Sequence, residues 1–211
     1  MQRRPPYAGP VTETTPVQGQ GYRDEDWYAE DLTGRRYVDC TFRDVDLTEA
    51  TARGVAFESC TFEGCRFNAC VLESAAFVGC DVRRTSFFAA TLHGSKLAGS
   101  VFVDCTLRPI TVSGGQWRGV TMRGANLSKL DLSGTTLVEA DLADANLSGS
   151  TLVGCDLSRA VLRDADLRGT DLRGATLDGT DLRDARLGST RLDIAGAVAL
   201  AEQLGALVSW R

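Results

Sequence analysis

A leucine falls at every fifth position from Leu127 to Leu192 without a miss. An α-helix repeats every 3.6 residues and a simple strand every two, so neither produces that spacing. A sustained longer period decides architecture before local propensity does. The beat runs upstream with looser lettering, through Leu32, Tyr37, Phe42, Leu47, Ala52 and Phe57 on to Val112, Trp117 and Met122. In all, 33 consecutive centres span residues 32–192 with no insertion or deletion. Cysteine confirms the register independently: Cys40, Cys60, Cys65, Cys70, Cys80, Cys105 and Cys155 all lie two residues before a centre. Most glycines lie two residues after one.

The spacing has a direct physical reading. In an extended segment, residues two apart point to the same side, so the centre and the residue two before it face inward together. The residue between them faces out. The two residues after the centre are free to turn a corner, where glycine is tolerated best. Five residues make one side and one corner, and four sides close a coil of 20 residues. Coils stack as parallel strands about 4.8 Å apart, with the right-handed winding expected of parallel crossovers. The predicted fold is therefore all-β: a right-handed quadrilateral β-helix of about eight coils, followed by a short α-helix.

Three segments follow. Residues 1–21 hold most of the prolines and read as a flexible Pro-rich tail. Residues 22–192 read as the β-helix. Its first coil is expected to be irregular, because Glu30 and Arg35 occupy inward slots; Trp27 and Tyr37 would cover the open end. Residues 193–211 read as a capping helix and tail: Asp193 suits an N-cap, Gly205 a stop, and Ala197, Leu200, Ala201 and Leu204 share one helical face. Leu207, Val208 and Trp210 follow as an apolar tail. Within the rod, the Phe-rich stretch gives way to the Leu-rich one through residues 108–124. There Ile110 offsets a small centre at Val112, and Gly115 leaves room for Trp117. Pro109 sits in a corner slot, where its missing N–H costs least; a cis Arg108–Pro109 bond would bend the rod.

Composition narrows the function classes. No run of 18 apolar residues marks a membrane span, and the N-terminal stretch lacks a signal-peptide core, so a cytoplasmic location is expected. The seven cysteines lack zinc-type spacing and face inward, where they read as reduced core thiols. The single histidine, His93, faces outward, and a filled lumen offers no cleft; neither a catalytic residue, a metal site nor a cofactor is expected, and the chain does not read as an enzyme. Net charge is −5, and residues 131–193 hold 12 acids against 7 bases. Direct nucleic-acid binding would want a basic footprint instead. Residues 20 apart stack on one side of the rod. The side centred on Phe42, Phe62, Val82, Phe102, Met122, Leu142, Leu162 and Leu182 is the most acidic, and Asp104, Asp141, Asp144, Asp164, Asp181 and Asp184 are its candidate partner-binding residues, diluted by arginines at 43, 83, 84, 123, 163 and 183.

The units ADLAD (140–144), ADLRG (165–169) and TDLRG (170–174) resemble those of the pentapeptide-repeat proteins, over about residues 30–192. The segments RGVAFESCTF (53–62), GSVFVDCTLRPITV (99–112) and RLDIAGAVALAEQLGALV (191–208) are similar to the mycobacterial fluoroquinolone-resistance branch of that family. The resemblance implies a dimeric mimic of B-DNA that binds DNA gyrase and protects it from quinolones. It carries the dimer contact onto the C-terminal helix, with Ile194, Ala197, Val198, Leu200, Ala201, Leu204 and Leu207 as its candidates, and a kink onto Pro109. The alternative is a structural or adaptor rod with a different protein partner, since the repeat itself specifies only shape.

Overall fold

A computed structural model describes residues 15–209. Parallel pairing at a constant offset of 20 residues builds it: Val17 lies against Tyr37, Phe42 against Phe62, and Asp171 against Arg191. One side of the rod is a five-stranded sheet of Gly21–Arg23, Thr41–Arg43, Thr61–Glu63, Asp81–Arg83 and Val101–Val103 in spatial succession. Two other sides carry four-stranded sheets, and the fourth is joined by single bridges such as Asp46 with Arg66 and Arg66 with Ser86. Formal strands cover about five turns, fewer than the eight coils predicted; beyond Ser113 the same register continues through single bridges to Arg191.

Two kinds of side share this register. In one, the residues flanking the centre are extended and form a strand, as in Thr61–Glu63. In the other, the centre's carbonyl accepts a hydrogen bond from the amide three residues on, as from Arg35 to Leu32 and from Ala165 to Leu162, which closes a tight turn. Sides of the second kind often carry Asp or Asn just before the centre, and its side chain accepts from the amide two residues on. This Asx turn is the local reason that aspartate tolerates the slot.

The core is two inward columns per side. Phe42, Val55, Phe57, Leu142, Leu147 and Leu157 are fully buried, while the residues between inward positions are mostly half-buried or exposed. In the N-terminal half, aromatic rings stack coil on coil: Tyr22 on Phe42 on Phe62, with centroids 5.0 and 4.7 Å apart, and Phe67 on Phe87 at 5.0 Å. All seven cysteines are free, and only Cys105 is not fully buried. Burial pushes the Cys65 and Cys155 thiols up to about 11.

The start of the rod differs from expectation. Val17–Gln18 and Gly21–Arg23 already pair with the following coil, so the β-helix begins about five residues before Tyr22, and its first coil is regular. Residues 1–14 of the predicted tail lie outside the described residues. Tyr22 joins Trp27 and Tyr37 in closing the end. Glu30 and Arg35 escape the expected desolvation: they remain part-exposed and lie 3.7 Å apart.

The Arg108–Pro109 bond is cis. The Gly115 slot is filled as expected. Trp117 is 1% exposed, and a Cβ on Gly115 would meet the Ser95 carbonyl at 2.6 Å and the Trp117 indole nitrogen at 2.9 Å. The Ile110–Val112 exchange is less complete, since both stay half-buried.

Helix α1 (Ile194–Gln203) closes the other end. Asp193 is its N-cap, accepting from Gly196, and its second oxygen accepts from Gly174 in the coil beneath. Gly205, at φ 89°, follows the last turn. Gln203 stands in for a missing coil: its amide nitrogen donates to the Thr180 carbonyl at 2.7 Å and its oxygen accepts from the Leu182 amide at 3.0 Å.

Candidate acidic interface

The six predicted acids reach the surface from two slots with different physics. Those just before a centre serve the backbone. Asp141 accepts from the Ala143 amide and Asp181 from the Arg183 amide. Where the residue after the centre is arginine, the same carboxylate also binds its guanidinium, as in Asp166–Arg168, Asp171–Arg173 and Asp181–Arg183. These arginine hydrogen bonds hold all three carboxyls at about 2, well below the usual range. Each such pair is nearly neutral from outside, so Asp181 contributes less to a negative surface than its sequence position suggests.

Asp104, Asp144, Asp164 and Asp184 occupy the corner slot instead. All four are exposed. They lie on one edge of the rod, one coil or about 4.8 Å between 144, 164 and 184, with Gly124 between 104 and 144. Asp104, Asp144 and Asp164 have φ of 53°, 62° and 59°, a conformation that favours glycine. Stacked like charges repel. The corner therefore carries a conformational and an electrostatic cost at once, with no aspartate hydrogen bond to the turn in return. Compensation is partial: Arg123 bridges Asp141 and Asp144 at 3.3 and 3.2 Å, and Arg163 lies 3.8 Å from Asp164. Of the six predicted residues, four thus form one corner column, and Asp141 and Asp181 flank it in turn-building roles.

Sequence reading missed a second acidic cluster, at the N-terminal tip. Asp24, Glu25, Asp26, Asp44 and Asp46 surround a shallow concavity, with Tyr28 and Arg66 on its rim. Arg66 pairs with Asp46 at 2.9 Å, and Glu25 accepts from the Trp27 indole at 2.9 Å. The signal was the run RDED at 23–26, whose acids recur one coil later at 44 and 46.

The predicted helix face divides. Leu200 packs on the core rather than facing out, because the rod's open end lies beneath it. Ile194 and Leu204 are each 70% exposed and Leu207 is wholly exposed. Ala197 is exposed beside them, Val198 and Ala201 half-exposed, and Leu187 in the last coil is also open. Trp210 lies outside the described residues. Among the described residues, no group of His, Cys, Asp and Glu is arranged to hold a metal ion, and no helix is long and apolar enough to cross a membrane.

Family models place this geometry among known proteins. A model described as Pentapeptide repeats matches residues 31–64, 140–179 and 160–193, and one described as Pentapeptide repeat region matches 50–132. The chain is 35% identical over 93 residues to the pentapeptide repeat protein MfpA of Mycobacterium tuberculosis; the match covers 44% of this chain and spans 40% of that relative's length. In shape it resembles trypsin-treated QnrB1, a plasmid-mediated fluoroquinolone resistance protein. Two such structures give TM-scores of 0.65 and 0.66 at 20% and 22% identity, covering 92% of this chain and 100% and 99% of theirs.

Proposed function

Because the chain belongs to the pentapeptide-repeat family, a family of binding rods, we propose that it acts as a DNA-mimicking partner of DNA gyrase and protects that enzyme from fluoroquinolone-type inhibitors. The observation that carries this reading is the corner column of Asp104, Asp144, Asp164 and Asp184. Its charges are exposed, regularly spaced along a rod, and costly to the fold that bears them. Stacked like charges that build no turn are available to a partner that reads charge. A partner built to hold DNA phosphates would meet such a column with lysines and arginines, so the affinity should fall steeply with salt.

The exposed Ile194, Ala197 and Leu204, with the half-exposed Ala201 between them and Leu207 beyond, support a second part of the proposal: two rods pair end to end through this helix. A twofold contact of that kind is self-complementary. It would bring the acid-rich halves together at the centre of a longer rod.

Supercoiling assays with purified gyrase test the reading. The protein should inhibit supercoiling at excess, or restore it in the presence of a fluoroquinolone. No effect on either activity at high excess, in low salt, would overturn it and leave an adaptor rod with another partner.

A further inference from the structure

The ladder that joins successive coils is interrupted most widely at one boundary, along two adjacent sides and the corner that leads into them; a smaller gap lies between Leu162 and Asp181 near the C-terminal end. Elsewhere between Gly19 and Gly169 each amide two residues after a centre reaches a carbonyl of the next coil, as Asp44 reaches Glu63 and Arg84 reaches Val103. Among the described residues, the amides of Asp104, Leu107, Val112 and Gly114 make no such bond to the coil below. Those of Asn126 and Asp131 make none to the coil above. No bridge joins residue 106 to 126 or 111 to 131. On the other two sides of the same coil the ladder is intact. Trp117 donates to Thr136, Gly119 to Val138 and Met122 to Asp141, and Thr136 donates back to Gly115.

The packing is loose at the same place. Centres elsewhere in the rod's middle are nearly all buried, yet Val112 is half-exposed, with Cys105 and Ile110 beside it. An apolar void of about 10 Å³, lined by Phe87, Leu107, Ile110, Trp117, Met122 and Leu127, lies beneath. It is too small for a ligand and too apolar to hold water. Two buried donors near it, the Arg108 Nε and the Trp117 Nε1, have no partner. One side-chain bond spans the gap, from the Arg108 Nη1 to the Ser128 Oγ at 2.8 Å.

We propose that this boundary is a hinge. Residues 104–114 and 124–134 form its mouth, residues 116–122 and 136–141 its unbroken back, and Arg108–Ser128 its latch. Opening the mouth costs few hydrogen bonds and little packed surface, whereas opening the back breaks a complete ladder. The rod therefore bends in one direction, toward its intact sides, and the Phe-rich and Leu-rich halves move as two stiff arms. One of the sides that is continuous at this boundary carries the acidic residues between 122 and 184, so bending changes the angle at which the two halves present charge to a partner. The hinge stands on hydrogen bonding and packing alone and does not depend on which partner the rod binds.

Spin-label distances test it on the full chain. The pair Arg53→Cys with Val153→Cys spans the mouth, and the pair Ser59→Cys with Arg159→Cys spans the back over the same number of coils. All four sites are exposed, whereas six native thiols are buried and burial pushes Cys105 up to about 11, so labelling favours the new cysteines. The distance distribution across the mouth should be about twice as wide as that across the back. Arg108→Ala, which removes the latch, should widen the first and leave the second unchanged. Equal widths, narrow or broad, would overturn the hinge, as would an Arg108→Ala distribution indistinguishable from the parent.

Discussion

The two halves of the rod obey one register and are held by different physics. Between Tyr22 and Phe102 the lumen is filled by stacked aromatic rings, and many sides are true strands. Between Leu127 and Leu182 the lumen is filled by leucine, and the sides are single bridges closed by tight turns. The other inward slot is small in both halves, as at Cys60, Cys65 and Ala75 in the first and Ala140, Ala145 and Cys155 in the second. The tight turns of both halves use Asx bonds from the slot before the centre, as at Asp31 and Asp46 and at Asn146 and Asp156. These bonds are more frequent in the second half, whereas the strand sides of the first, with Thr, Ala or Val in that slot, make none. One period thus constrains where side chains point without dictating what secondary structure joins them.

The largest expected effect sharpens this contrast at the core. Phe62→Ala removes a fully buried ring stacked on Phe42 and should destabilise by about 3–5 kcal/mol, near the top of the range for core truncations. Leu147→Ala in the other half should cost about 2–4 kcal/mol. Denaturant unfolding reads both. A Leu147 loss exceeding the Phe62 loss would contradict the view that ring stacking makes the first half the tighter one.

The ends offer the next test. The first coil is closed by aromatic side chains, whereas the last is closed by hydrogen bonds from Gln203. Gln203→Ala leaves the Thr180 carbonyl and the Leu182 amide without partners and should cost about 1–3 kcal/mol. Gln203→Glu retains the acceptor for Leu182 but turns a carboxylate oxygen toward the Thr180 carbonyl, so near neutral pH it should cost at least as much. Thermal unfolding separates the three.

Turn chemistry should produce a smaller effect. Asp156→Ala removes the bond to the Ser158 amide and should cost about 0.5–1.5 kcal/mol. Asp156→Asn keeps that acceptor and should recover most of the loss. Thr61→Ala, in a side without an Asx turn, should cost less than Asp156→Ala.

The smallest effect is electrostatic. The carboxyls of Asp166, Asp171 and Asp181 sit at about 2 in the folded chain because arginine and the backbone bind their charged form. A depressed folded value gives stability that is fully present above the unfolded value, about 3.9. It is lost as pH falls through the folded one. Acid titration of unfolding should therefore show a loss between about pH 4 and pH 2. Replacing all three with Asn should shrink it; an unchanged profile would show that these pairs contribute nothing.

Most of the architecture was legible because a period of five leaves few solutions. Inward slots at Cys40, Phe42, Leu127 and Leu132 needed no more than alternation, and Asp193 announced the helix cap by its residue type. Three features were not legible. The early start at Val17 was hidden because its side chains lack the repeat's lettering, while pairing there is made by backbone groups that any sequence supplies. The inward turn of Leu200 depends on how α1 lies over the last coil, which helical periodicity leaves free to rotate. The division of the aspartates into turn-building and corner residues needed the Asx geometry. In the sequence, Asp141 and Asp144 are simply two acids near one leucine.

That division carries the functional claim, and binding to purified gyrase tests it most directly. In the variant Asp144→Asn, Asp164→Asn, Asp184→Asn, three of the four corner charges are removed and the turn-building aspartates stay intact. A control with Asp166→Asn, Asp171→Asn and Arg168→Gln alters charges that are already paired. The account predicts that the corner variant keeps its fold by circular dichroism and loses binding by about tenfold or more, while the control binds as the parent does. Equal affinity for the parent and the corner variant, at low salt, would contradict it.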